Sequence, residues 1–179
     1  MGVRRAAVAL ALVAITGCTA VRVETPDPAA IPDGPLEAMA GDATGPVVEL
    51  GSGVDAGLGW RYAIYPSGDD WCTQLEMIEF TGAGCGDILP VDGAAFGGVG
   101  RGEPRANGVT PIDGIVTAEI FTVSLIADDG RRMPARLLSL EPAGLEGQAF
   151  VAFVPPDTTI THLQALAMSG EILQTYELP

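Results

Sequence analysis

The side chains in this 179-residue chain that could do chemistry are few beyond its 23 acidic residues: three cysteines, one histidine and two tryptophans. Cys72 and Cys85 remain as an even pair once Cys18, far upstream, is set aside, and such a pair in an exported chain reads as a disulfide. A redox role would call for C-x-x-C spacing, and zinc would call for four ligands, whereas two thiols and His162 supply three. His162 is the sole candidate base for a Ser-His-Asp set. Period-two alternation puts it on a strand face with Ile160, Gln164 and Leu166, which is the setting of a packed or hydrogen-bonded histidine. Gly51-Ser52-Gly53 is too short for a nucleophile elbow.

Carboxylate pairs could serve glycoside hydrolysis. With so many acids, neighbours in sequence are expected by chance, and Asp69-Asp70 and Asp128-Asp129 sit in turn sequences where aspartate bonds its own backbone. No D-x-[DN]-x-[DN]-G string marks a calcium loop. Gly98-Val99-Gly100-Arg101-Gly102 invites a test as a phosphate cradle and fails it, having neither G-x-x-x-x-G-K-[ST] nor G-x-G-x-x-G opening a helix. Trp60 and Trp71 suit either a sugar-binding face or a core anchor beside the disulfide. These residues therefore define no catalytic, cofactor-binding or metal-binding set, and the expectation is that the chain is not an enzyme. The alternative is a hydrolase using carboxylates near the Gly-rich stretch 81–108.

The elements that must position these groups read as short strands. Residues 47–50 make a first strand. Residues 60–65 put Trp60, Tyr62 and Ile64 on one face, and residues 71–77 put Trp71, Leu75 and Met77 on one face. Pro66-Ser67-Gly68-Asp69-Asp70 joins these two runs as a hairpin, with Cys72 on the face opposite Trp71, so that its disulfide pins the strand to the following loop. Residues 81–108, with nine glycines, read as that long irregular loop, the place where function often sits. Residues 118–127 alternate, meet Asp128-Asp129-Gly130, and return over 131–140 with Met133, Ala135 and Leu137 on one face. Pro134 marks the return as an edge strand. Residues 148–154 are apolar almost throughout, as in a strand covered on both faces, and 160–168 with 172–176 form a last hairpin around Ser169-Gly170-Glu171. No helical periodicity of about twelve residues interrupts them. The expected fold is all-β: an antiparallel β-sandwich, immunoglobulin-like or related, with one intradomain disulfide.

The N-terminus is different in kind. Arg4 and Arg5 precede an apolar run over residues 6–15, shorter than the roughly 20 residues of a membrane-spanning helix and suited to the core of a secretory signal. Ile15-Thr16-Gly17-Cys18 follows. This stretch resembles the signal peptide and lipobox of bacterial lipoproteins: an aliphatic residue, a small one, Gly or Ala, then Cys. The resemblance implies cleavage before Cys18, a diacylglyceryl group on its thiol, and an extracytoplasmic protein held to the cell membrane. An ordinary secretory signal cut near Ala20 is the alternative. The domain plan is a signal peptide over 1–17, a lipidated Cys18 leading a flexible linker over 18–46 with five prolines, and a single β-sandwich over 47–179. The second half, from Gly114-Ile115-Val116 through the Asp-Asp-Gly hairpin and Phe150-Val151-Ala152-Phe153-Val154-Pro155 to Ser169-Gly170-Glu171, resembles exported actinobacterial proteins of unassigned function. That similarity implies a β architecture and no activity.

All nine basic residues are Arg. Removal of a signal carrying Arg4 and Arg5 leaves seven Arg against 23 acids, a net charge of −16. Such a surface repels nucleic acid and anionic headgroups, so membrane attachment falls to the Cys18 lipid. No nucleic-acid partner is expected. The functional expectation is a binding or interaction domain in the cell envelope, with another envelope protein or a cell-wall ligand as its partner.

Overall fold

The computed structural model describes residues 27, 29–37, 43–78 and 80–178. Cys18, the apolar signal segment and the first part of the linker lie outside the described residues.

Four strands, β1 (Val48–Asp55), β2 (Leu58–Ser67), β3 (Asp70–Met77) and β4 (Phe80–Gly86), form an antiparallel meander in chain order. Its turns follow local chemistry. Ala56 and Gly57 both have positive φ, 51° and 75°, as a two-residue connection twisted to match its strands requires, and Gly68 at φ 63° opens the next one. Alternation along β2 sends Trp60, Tyr62 and Ile64 inward, all fully buried, as the sequence reading expected.

Eight further strands form two more sheets. β5 (Phe96–Arg101), β6 (Thr110–Val116), β10 (Gln148–Val154) and β9 (Arg136–Ser139) lie side by side in that order; the other sheet runs β12 (Ile172–Glu177), β11 (Ile160–Leu166), β7 (Thr122–Ala127) and β8 (Arg132–Pro134). Every pairing in the three sheets is antiparallel. The expected all-β sandwich is thus present, and it has three layers.

The second sheet is the middle layer. Ala149, Val151 and Phe153 of β10 and Ile115 of β6 pack with Trp60, Tyr62, Ile64 and Leu75 of the first sheet. The alternate residues Phe150, Ala152, Val154, Ile112 and Val116 pack with Val123, Leu125, Leu163 and Ala165 of the third. Burial on both faces is what makes 149–154 apolar without interruption. The return strand after Asp128-Asp129-Gly130 divides at Ala135: β8 pairs with β7 at the edge of the third sheet, and β9 pairs with β10 at the edge of the second. Pro134, lacking an amide hydrogen, closes the first of these pairings, while Ala135 N–H still donates to Val123 O at 2.8 Å. Both halves are edge strands, and Met133, Ala135 and Leu137 share the core face as expected.

Residues 81–108 depart from expectation. β4 and β5 are regular strands within this stretch. Cys85 faces Cys72 across the β3–β4 ladder, and the two form the disulfide, which therefore links two strands and not a strand to a loop.

Part of the stretch read as linker lies on the domain. Residues 29–37 run over the outer face of the first sheet, where Arg61 is buried. Its guanidinium donates to Gly34 O at 2.9 Å and to Glu76 Oε2 at 2.6 Å, and Gln74 Nε2 donates to Glu37 O at 3.1 Å. Gly59 admits the strap: a Cβ there would stand 2.0 Å from the carbonyl oxygen of Ala30. A buried arginine is costly unless paired, so covering strap and ion pair depend on each other.

Candidate functional site

Between the first and second sheets, the edge strands β4 and β5 border a groove of about 300 Å³. Its shape comes from missing side chains. The residues of β4 that point inward after Phe80 are Gly82 and Gly84; those of β5 and its continuation that point toward them are Gly98, Gly100 and Gly102. Glycine repeated at period two strips one face of each strand, with Ala83, Val99 and Arg101 at the alternate positions. The site thus uses the residues whose pattern failed as a phosphate loop. A register shift in β5 between Phe96 and Val99 sets the phase that turns Gly98 and Gly100 to the groove.

Asp113, on β6 opposite Gly100, is the one carboxylate lining this groove. Tyr62 Oη, from the first sheet, donates to its Oδ2 at 2.8 Å, and the Thr73 hydroxyl bonds the same phenol. Oδ1 accepts no hydrogen bond from a described residue and lies 3.1 Å from where a Cβ on Gly100 would stand. Burial pushes the Asp113 carboxyl up to about 6, against the smaller opposing effect of the Tyr62 hydrogen bond. Tyr62 is driven well above its ordinary value by burial first and by the Asp113 charge second. Such a group can hold a proton, accept a donor or meet a cation. Arg101 also borders the groove, but no ion pair joins it to Asp113.

The residues singled out from sequence fall elsewhere. His162 lies half-buried on β11, its ring nitrogens 3.0 Å from Thr161 Oγ1 and 3.4 Å from Gln164 Nε2. A register shift between Ile160 and His162 puts Ile160 in the core and so breaks the shared face that strict alternation implied. Trp60 is a core residue against Phe153, with its Nε1 donating to Asp55 Oδ2 at 2.8 Å, and Trp71 is half-buried against the same cluster. Asp129 accepts from the Arg131 amide and guanidinium within its turn, which hold its carboxyl below the ordinary range. Asp113 went unnoticed in the sequence. The available signals were an acid inside the apolar run Pro111-Ile112-Asp113-Gly114-Ile115-Val116 and the period-two spacing of the glycines.

Fold and groove together define a class: three stacked antiparallel sheets with a glycine-walled groove and a half-buried carboxylate at its base. Comparison with protein-family models, curated proteins and solved structures finds no match for the chain.

Proposed function

We propose that this is a lipid-anchored protein of the bacterial cell envelope, held through Cys18, whose domain acts by binding a ligand or partner in the groove at Asp113. The groove carries this reading: an open, preformed cleft with apolar walls and a carboxylate oxygen that no described residue donates to has the common form of a ligand site. The Cys72–Cys85 disulfide fits an oxidising, extracytoplasmic setting. Two experiments test the two halves. Fatty-acid label is expected in the cellular protein and not in Cys18→Ala; label that persists in the variant overturns the anchor. Recovery of an envelope component by the wild type and not by Gly84→Val, which fills the groove, supports the binding site, whereas equal recovery overturns it.

One observation favours a second reading, an extracytoplasmic hydrolase. Asp113 beside the Gly-rich strand has the raised carboxyl expected of a general acid. Hydrolysis of an envelope substrate that disappears in Asp113→Asn, with binding retained, would favour the enzyme over the binding module.

A further inference from the structure

We infer that the groove takes a primary ammonium group carried on a slim, unbranched alkyl arm, with Asp113 as its counter-ion. The assignment rests on the groove being the binding site and names the chemistry of what enters it.

Three features of the groove select this ligand. The first is the acceptor. Asp113 spends Oδ2 on Tyr62 and keeps Oδ1 without a described donor, at the base of a cleft whose remaining charged lining residue, Arg101, is not paired with it. A half-buried carboxylate with a free oxygen is best satisfied by a cationic donor, since charge-assisted hydrogen bonds are about twice as strong as neutral ones.

The second is shape. Glycines on both walls keep the slot narrow and smooth: Phe80 and Ile88 lie over Gly82 and Gly98, Gly84 opens onto free space, and Leu75, Phe80 and Ile88 offer apolar contact along it. A chain of methylenes fits such a slot, with its charged end at the carboxylate and its apolar stem against the walls. As edge strands, β4 and β5 are each paired on one side only, so backbone acceptors border the slot for the remaining ammonium hydrogens. A planar guanidinium is wider than the arm this slot suits.

The third is the field of the whole chain. With a net charge of −14, the surface draws cations and repels anions, so the carboxylates and phosphates that Arg101 could meet are disfavoured on approach.

The ammonium could come from a lysine side chain of a protein partner or from a free alkylamine. The test titrates the full chain with n-butylamine, with a lysine blocked at both backbone ends, and with the same blocked lysine acetylated on its side-chain nitrogen. Binding of the blocked lysine, weakened at least about tenfold by acetylation, is expected, the loss of one charge-assisted hydrogen bond. Equal binding of blocked lysine and butylamine assigns recognition to the arm alone; stronger binding of the blocked lysine assigns it to a protein side chain.

Two variants locate the site. Asp113→Asn keeps the shape and removes the charge, and should cost at least about tenfold in affinity for the amine. Gly84→Val projects into open space, with no atom within 4 Å of the added Cβ, and should abolish binding without unfolding the domain, as circular dichroism will report. Amine binding that survives acetylation or Asp113→Asn overturns the ammonium assignment, as does failure of both amines to bind. If instead an envelope ligand without an amine binds in a Gly84-dependent way, the ammonium assignment falls and the groove stands. Unaltered capture by Gly84→Val overturns both.

Discussion

Asp113 keeps its proton into a range where most carboxylates have lost theirs, and the cause lies in its surroundings. Its folded carboxyl is raised from 3.8 to about 6. Below 3.8 the folded and unfolded chains are both protonated here, and the contribution to stability is complete. As pH rises the unfolded carboxylate ionises first, so the contribution is lost by the time pH passes 6. Up to about 3 kcal/mol separates pH 4 from neutrality through this one group. Asp113→Asn, which preserves an acceptor for Tyr62, should remove that slope and stabilise the protein at neutral pH. Urea unfolding of both proteins between pH 4 and 7 checks it, and parallel curves would refute the assignment. Tyr62→Phe leaves the carboxylate without its donor and should cost about 1–3 kcal/mol at neutral pH, measured in the same way.

At the scale of elements, glycine acts in three distinct ways. In the two-residue turns it supplies positive φ, in the groove it withholds side chains, and at Gly59 it lets the 29–37 strap approach the sheet. Gly59→Ala should therefore displace the strap before it unfolds the sheet, since the added Cβ would collide with Ala30 O at 2.0 Å. Limited proteolysis is expected to cut near residues 29–37 faster in the variant while the rest of the domain resists; unchanged cleavage would mean that the strap does not depend on this contact. The disulfide belongs to the same scale. It joins adjacent strands already held in register, with a sequence separation of 13. Its removal by Cys72→Ser with Cys85→Ser should cost about 3 kcal/mol, read from the urea midpoint.

Over the whole molecule, the middle sheet is the shared wall of two cores, one against each outer sheet, and its strands couple the two. Phe150 faces the third sheet, whereas both tryptophans belong to the first. Phe150→Ala should cost about 3–5 kcal/mol. Because the layers share β10 and β6, tryptophan fluorescence and far-UV circular dichroism should shift together. A fluorescence transition that stays in place while the dichroism moves would show that the layers unfold separately.

Local pattern determined much of this molecule. Period-two alternation placed Trp60, Tyr62 and Ile64 inside, Asp128-Asp129-Gly130 made its hairpin, Pro134 marked an edge, and the nearly unbroken apolar run at 148–154 identified a strand covered twice. Each of these is a property of a few consecutive residues and of water. The groove is of another kind. Gly82, Gly84, Gly98 and Gly100 look like loop residues along the chain, because strand propensity measures side chains and these have none. They become strands only by pairing with β3 and β6, which supply the side chains and hydrogen bonds that they lack. Asp113 joins them for the same reason. Its partner Tyr62 lies 51 residues away, and only the stacking of the first sheet on the second brings phenol, carboxylate and glycine walls into one cleft.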